Sequence, residues 1–135
     1  MDALKVYVGA DIVKRLVDLA SERFSFHSNK LFVNWDLGAC DVPTWRYVGE
    51  STDRNFDAVL LRDVVQHLPL ATGVEIVRKI STCGARWLIA TTFPSGKNIN
   101  IRPGALMYFN NFALPPYSSF LPRAEECIKT HPSLE

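Results

Sequence analysis

Four short and nearly continuous apolar runs divide this sequence, and they constrain its fold more than any other feature. We predict strands at Leu4–Val8, Leu31–Trp35, Phe56–Leu61 and Arg86–Thr92. A strand with one solvated face alternates apolar and polar residues, whereas a strand buried on both faces reads as an unbroken apolar run. The four runs therefore favour a parallel sheet that is covered on both faces.

Helical periodicity fills two of the intervals between the runs. Apolar residues three and four positions apart predict a helix at Ile12–Phe24, and Asp11 lies where the N-cap of that helix belongs. A second helix is predicted at Val74–Thr82, and Thr72 and Glu75 before it have the spacing of a capping box. Strands that alternate with helices are typical of a doubly wound α/β sheet.

The remaining segments carry no clear period. Gly38–Asn55 is rich in Gly, Pro, Ser, Thr and Asp and is predicted to be a loop. The chain has 135 residues, of which 47% are hydrophobic, and this is enough for the core of one domain but not of two. We therefore predict a single domain with its core at about residues 4–93 and a tail at about 94–135. The tail has room for one further short strand or helix.

Composition excludes several classes of protein. The net charge is +1, and no basic run is interleaved with aromatic residues, so nothing indicates nucleic-acid binding. No apolar stretch approaches the roughly 18 residues of a membrane span. The three cysteines, Cys40, Cys83 and Cys127, are widely spaced and form no CxxC pair. Reduced thiols and a cytoplasmic location are the expectation.

Charged residues follow the first three apolar runs, at the points where the predicted strands end. These residues are Asp11, Asp36 and the adjacent pair Arg62 and Asp63. Ligands of parallel α/β sheets bind beyond the carboxyl ends of the strands, where the loops converge. We therefore expect the four side chains to share one edge of the sheet and to mark a binding site.

This order of strands and acidic residues resembles the class I S-adenosylmethionine-dependent methyltransferases. The stretches that carry the resemblance are VYVGADIV, FVNWDLG, LLRDVVQHL, and TTFPSGKNINIRPG followed by FALPPYSSFLP. The third stretch is close to the RDVLxHL form of one bacterial-type subgroup, and the last two are similar to the lid and substrate wall of that subgroup. The resemblance extends from Leu4 to about Leu121.

The resemblance implies that S-adenosylmethionine binds at the carboxyl edge of a Rossmann-like sheet. Asp11 matches the acidic residue that binds the ribose hydroxyls, and Asp36 matches the residue that holds the adenine amino group, with Leu37 beside the ring. Arg62 and Asp63 match the polar turn next to the methionine part of the cofactor. A carboxylate suits ribose because it can accept hydrogen bonds from both hydroxyls. The methyl acceptor is not indicated, since the family binds it with its variable tail.

The chain departs from the family at its amino end. It contains no GxGxG loop, and its first apolar run corresponds to the second strand of the family. The absent strand normally lies between the runs at Leu4–Val8 and Phe56–Leu61. The resemblance therefore implies an incomplete, truncated domain with an open sheet edge, through which self-association is expected. It also implies that this chain is a poor or inactive methyltransferase.

Each candidate residue has a plainer alternative. Asp11 can serve as an N-cap, and Asp36 can begin a turn. Arg62 can be a solvated strand end, and Asp63 can be a cap for the turn that follows. His67 has the side chain of a general base, but a structural or substrate-side role is favoured for it. No histidine has a second ligand at metal spacing, so no metal site is predicted. For the whole chain, the alternative is a non-catalytic interaction or scaffold protein descended from the methyltransferase fold.

Overall fold

A computed structural model describes residues 5–44, 55–101 and 106–121 of the chain. The chain divides into two compact units, Met1–Phe56 and Asp57–Glu135. In its described residues, each unit contains one parallel two-stranded sheet and one α-helix, so the fold is mixed α/β. The single domain inferred from composition stays a prediction. Leu4, Cys127, the loop residues 45–54 and the tail residues 122–135 lie outside the described residues.

The first unit is a β-α-β arrangement. Its elements are β1 (Tyr7–Asp11), α1 (Lys14–Arg23) and β2 (Lys30–Asn34). The two strands are parallel, in register from Tyr7 opposite Lys30 to Asp11 opposite Asn34, and α1 packs on both. The Phe32 ring stacks on the Phe24 ring with 5.6 Å between the ring centroids. Val17 of α1 is the one buried apolar side chain among the described residues of this unit.

The start of α1 differs from the prediction. The helix begins at Lys14, and its N-cap is Val13, which has an extended backbone and no side-chain cap. Asp11 still belongs to β1, where its backbone pairs with Asn34, and so it cannot also be the N-cap. Its Oδ1 instead accepts a hydrogen bond of 2.7 Å from the Val13 amide. The N-cap prediction for Asp11 is therefore wrong by two residues.

The second unit combines a sheet, a helix and a long irregular segment. Its elements are β3 (Ala58–Leu61), α2 (Leu70–Thr82), β4 (Trp87–Ala90) and 3-10 turns at Val65–His67 and Tyr117–Ser119. β3 and β4 are parallel, with Ala58 opposite Trp87 and Leu61 opposite Ala90. In the part of this unit that the structure describes, the buried apolar side chains are Leu61, Val65, Ile76, Val77, Ile80, Tyr108 and Tyr117.

The start of α2 also differs from the prediction. The helix begins at Leu70, four residues before the predicted start, and its first turn has no side-chain cap from its own sequence. Thr72 and Glu75 form no capping box, because Glu75 pairs with the Arg78 guanidinium at 2.6 Å. The Leu70 amide instead donates a hydrogen bond of 3.1 Å to Oδ1 of Asn100, thirty residues further along the chain. A tertiary contact has replaced the local cap.

The predicted parallel orientation is confirmed, and all four predicted strands are present with shifted ends. The predicted single sheet is not observed: the described strands form two separate pairs, β1–β2 and β3–β4. The expected cover on both faces is also not observed. Leu60, Trp87 and Ile89 of β3 and β4 are exposed by 60%, 59% and 57%. No helix of the described residues is long and apolar enough to span a membrane.

Candidate functional site

The carboxyl ends of β1 and β2 bring two of the predicted site residues into one small region. Asp11 ends β1 opposite Asn34, and Asp36 follows Asn34 by two residues. The Asn34 side-chain amide donates to the carbonyl oxygens of Asp11 and Ile12, each at 2.9 Å. The Trp35 amide also donates to the Asp11 carbonyl, at 2.9 Å. The chain that leaves β2 is therefore fixed against the end of β1.

Both carboxylates of this edge are held by the backbone through one oxygen. Oδ1 of Asp11 accepts from the Val13 amide at 2.7 Å. Oδ1 of Asp36 accepts from the amides of Gly38 and Ala39 at 2.8 and 3.3 Å, which confirms that Asp36 begins a turn. Both residues are exposed, and no hydrogen bond to Oδ2 of either is found within the described residues. Each carboxylate thus keeps one oriented oxygen for a donor.

Two neighbours of these carboxylates have different roles. Leu37 lies in the turn after Asp36 and is half-buried, so an apolar side chain stands beside the second carboxylate. Gly9 precedes Asp11 by two residues, and its lack of a side chain leaves space for the Phe32 ring. A Cβ at Gly9 would lie 2.7 Å from Cδ1 of Phe32. The absence of a side chain at Gly9 therefore serves the packing of Phe32 inside the first unit.

The second unit holds the other two predicted site residues, Arg62 and Asp63, directly after β3. Asp63 has a left-handed backbone with φ of 52°, and its amide donates to the Thr91 hydroxyl at 3.2 Å. Its Oδ1 accepts from the Gln66 side-chain amide at 2.9 Å, and its Oδ2 is 3.4 Å from Nε of Arg62. The hydrogen bond from Gln66, helped by Thr91 and the Arg62 charge, lowers the pKa of Asp63. Both carboxylate oxygens are therefore engaged.

A buried polar cluster beside Asp63 was missed by the sequence interpretation. Gln66 and Asn110 are almost fully buried. The Asn110 side-chain amide donates to the Thr91 carbonyl at 2.9 Å, and the Asn110 carbonyl accepts from the Phe93 amide at 2.8 Å. Oε1 of Gln66 and Oδ1 of Asn110 are buried without a hydrogen-bond partner. The Asn-Asn-Phe sequence has no strand or helix period, so no local pattern singled it out.

One asparagine organises the tail around this cluster. The Asn98 side-chain amide donates to the carbonyl oxygens of Asn111, Leu114 and Pro115 at 2.8 to 3.1 Å. Its Oδ1 accepts from the Asn111 amide at 2.8 Å. A single side chain therefore satisfies four backbone groups of a segment that lacks regular secondary structure, which fixes the residues that follow Asn110.

His67 is tied to the same tail. Its Nδ1 is 2.7 Å from the Leu106 carbonyl oxygen, and the neighbouring Gln66 carbonyl accepts from the Tyr108 amide at 3.0 Å. The side-chain hydroxyl group of the same Tyr108 is hydrogen-bonded to the hydroxyl group of Tyr117. Burial raises the pKa of both phenols, so this pair stays protonated and acts as packing.

The predicted site residues are thus distributed over both units, with Asp11, Asp36 and Leu37 in the first and Arg62 and Asp63 in the second. Among the described residues, no group of three or more His, Cys, Asp or Glu side chains is suited to a metal ion. No family model, curated protein or solved structure matches this chain. Function is therefore inferred from the residues alone.

Proposed function

We propose that this chain is a class I S-adenosylmethionine-dependent methyltransferase-like protein with an incomplete Rossmann-like domain and an unidentified methyl acceptor. The observation that supports the proposal is the pair of carboxylates at the ends of β1 and β2. Asp11 is the last residue of β1, and Asp36 lies two residues beyond the end of the adjacent parallel strand β2. Oδ1 of each accepts from the backbone, and no hydrogen bond to Oδ2 of either is found within the described residues. This edge is where parallel α/β sheets bind nucleotides.

The chemistry of these residues fits the nucleoside half of the cofactor. Ribose hydroxyls and the adenine amino group donate hydrogen bonds, and an ionised carboxylate only accepts them. Asp11 would hold the ribose, and Asp36 the adenine amino group. Leu37 supplies apolar contact for the ring. When bound, S-adenosylmethionine carries its methyl group on a positively charged sulfur.

The methionine half of the cofactor has weaker support. We assign Arg62 and Asp63 to it because they follow β3, as the corresponding turn does in the family. Asp63 is already engaged by Gln66 and Arg62, and it can accept from an ammonium group only if the Arg62 side chain moves away. That exposed pair is worth at most about 1 kcal/mol, so the movement costs little. Without a GxGxG turn the methyl group is poorly aligned, and we expect slow or no methyl transfer.

Titrations with adenosine and S-adenosylmethionine, followed by amide shifts of Gly38 and Ala39, test the nucleoside assignment. Asp11→Asn keeps an oxygen for the Val13 amide but removes the charge and one acceptor. Loss of such charge-assisted bonds costs about 1–3 kcal/mol, so affinity for both ligands should fall by about 5- to 150-fold. Asp18→Asn is the matched control, because Asp18 is an exposed acid of the same unit that pairs with Lys14 on α1.

Three results would contradict the proposal. One is the absence of any shift at Gly38 with adenosine at millimolar concentration. A second is an equal loss of affinity in Asp11→Asn and Asp18→Asn. The third is that S-adenosylmethionine binds about a thousandfold tighter than adenosine. The chain would then bind the methionine half of the cofactor well without a Gly-rich turn. In that case the expectation of poor activity is wrong.

A non-catalytic interaction protein is the second candidate, and one observation favours it. The open face of the β3–β4 sheet carries exposed apolar side chains from Leu60, Trp87 and Ile89. Contiguous apolar surface of this kind is typical of association sites, and a strand with a single paired neighbour leaves an edge for another strand. Concentration-dependent self-association in sedimentation experiments, combined with no adenosine binding, would favour this candidate over the methyltransferase-like one.

A further inference from the structure

The last residue of β2, Asn34, holds the end of β1 with its side chain. It lies opposite Asp11 in the sheet, and its side-chain nitrogen Nδ2 is 2.9 Å from the carbonyl oxygens of both Asp11 and Ile12. Carbonyl oxygens only accept hydrogen bonds, so the NH₂ group of the amide must face them and its oxygen Oδ1 must point away. A side-chain amide does not titrate, and this orientation is therefore independent of pH.

One of these two hydrogen bonds acts on the carboxylate of Asp11 through a single peptide group. The Ile12 carbonyl and the Val13 amide belong to the same planar unit. Asn34 donates to the carbonyl oxygen of this unit at 2.9 Å, and the N–H of the unit donates to Oδ1 of Asp11 at 2.7 Å. A carbonyl that accepts a hydrogen bond also polarises its own peptide unit and strengthens the N–H as a donor. Asn34 therefore fixes the peptide plane that orients the Asp11 carboxylate.

Packing does little to hold this peptide group. Ile12 and Val13 lie between β1 and α1, and their side chains are exposed by 67% and 47%. The helix anchors the far side of the turn, since the Val13 carbonyl accepts from the Leu16 amide at 2.9 Å. On the near side, the hydrogen bonds made by Asn34 and Asp11 take the place of apolar burial.

We propose that Asn34 is a positioning residue of the nucleoside site, which orients the Asp11 carboxylate for the ribose diol without touching the ligand. Oδ1 of Asp11 accepts from the Val13 amide, and no hydrogen bond to Oδ2 is found within the described residues. A carboxylate that is already oriented loses less conformational entropy when it accepts from two hydroxyls. The inference rests on the proposed function, in which Asp11 binds ribose, and it adds that the preference for a diol depends on Asn34.

The preference for a diol is measured with adenosine and with 2′,3′-dideoxyadenosine, which has the same base but no diol. The amide signals of Gly38 and Ala39, in the turn that Asp36 begins, report the binding of either ligand. Asn34→Leu keeps the approximate size of the side chain and removes both donors. The loss of one ordinary hydrogen bond corresponds to about a fivefold change, so adenosine should bind about fivefold more weakly to this variant. The dideoxynucleoside should bind to it as to the native chain.

Ser21→Ala is the matched control in the same unit. The Ser21 hydroxyl also donates to a backbone carbonyl oxygen, that of Val17, at 2.9 Å. It lies near the carboxyl end of α1, which leads into the amino end of β2 and so away from the carboxyl edge of the sheet. Its removal should leave the affinities for both nucleosides unchanged.

Hydrogen exchange tests the same contact without a ligand. If Asn34 holds the peptide group of Ile12 and Val13, the Val13 amide should exchange about fivefold faster in Asn34→Leu. The Val17 amide, which donates to the Val13 carbonyl, should keep its native rate. An unchanged rate at Val13 would overturn the proposal, because Asn34 would then not orient the group that bonds to Asp11. An equal acceleration at Val17 would overturn it as well, since it would show a general loosening of α1.

Two binding results would also overturn the proposal. One is a preference for adenosine that survives in Asn34→Leu, and the other is an equal loss of affinity for the two ligands, which is the result expected of a structural role alone. If the native chain binds neither ligand, or does not prefer adenosine, the proposed nucleoside assignment fails and the positioning role fails with it. If the native chain prefers adenosine and the variant does so equally, the positioning role alone fails.

Discussion

The two units contain the same kinds of element but bury very different amounts of apolar surface. Among the described residues, Val17 is the single buried apolar side chain of the first unit, whereas seven are buried in the second. In the first unit, α1 leaves Leu16 and Leu19 about half exposed. One helix on a two-stranded sheet cannot enclose a core, because each element has only one covered side.

The second unit differs because an irregular segment supplies the missing cover. Tyr108, Asn110, Asn111 and Tyr117 are all buried, and all of them come from residues 106–121. Side-chain amides satisfy the backbone of this segment, with Asn98 alone bonding to four backbone groups. Regular elements therefore define each unit, while a well-bonded loop decides whether the unit has a core.

The largest expected effect concerns the buried tyrosine. Tyr117→Ala leaves a large cavity and an unpaired Tyr108 hydroxyl, and should cost about 3–5 kcal/mol. Val17→Ala, its counterpart in the first unit, removes two carbon atoms and should cost about 1–2 kcal/mol. Hydrogen exchange resolves the two units: Tyr117→Ala should accelerate exchange of the Val77 and Ile80 amides. If the Val17 amide accelerates equally, the units unfold together and the contrast between them is lost.

A smaller effect is expected from adding one methyl group to a glycine of each unit. At Gly96 the new Cβ would collide with the Phe109 carbonyl oxygen, a backbone atom, so Gly96→Ala should cost about 2–3 kcal/mol. At Gly9 the nearest atoms belong to the half-exposed Phe32 ring, which can turn away, and Gly9→Ala should cost about 1 kcal/mol. Urea unfolding of both variants gives the ranking. A greater loss in Gly9→Ala would show that the first unit is packed as rigidly as the second.

The smallest effect on stability is expected at the carboxylate after β3. Backbone amides donate hydrogen bonds to the carboxylates of Asp11 and Asp36, and no substitution removes a backbone amide hydrogen bond selectively. The carboxylate of Asp63 instead accepts from the Gln66 side chain, which a substitution can remove. Gln66→Met removes that bond together with the buried unpaired Oε1, so the free energy of unfolding should change by no more than about 1 kcal/mol. The pKa of Asp63 should rise toward its ordinary value of 3.8.

The pH dependence of this variant has a defined sign. A carboxyl whose pKa is lowered by folding stabilises the folded state above its ordinary pKa, and this contribution is lost as the pH falls through the lowered value. Any advantage of the native chain over Gln66→Met that arises from Asp63 should therefore be present above pH 3.8 and shrink below it. Carboxyl ¹³C NMR of Asp63 gives the pKa directly. An unchanged pKa in the variant would show that Arg62 and Thr91, not Gln66, hold the carboxylate.

The strands, the helices and the positions of the acidic residues were predictable from local sequence patterns. Apolar runs and helical periods are local properties, so they predicted four strands, two helices and the parallel orientation within each pair. Asp11 and Asp36 were found in the same way, because a polar residue after an apolar run marks the end of a strand. Their assignment to a cofactor stays a prediction from resemblance.

The groups that complete these elements come from distant parts of the chain and were not predictable from local patterns. Asn100 satisfies the first amide of α2, which therefore starts at Leu70 and not at the capping box. The Leu106 carbonyl oxygen lies 2.7 Å from Nδ1 of His67, although thirty-nine residues separate the two in the chain. The described strands form two pairs, β1–β2 and β3–β4, and each pair joins strands that a helix separates along the chain. Each outcome depends on a contact between residues far apart in the chain, and a local pattern carries no information about such a contact.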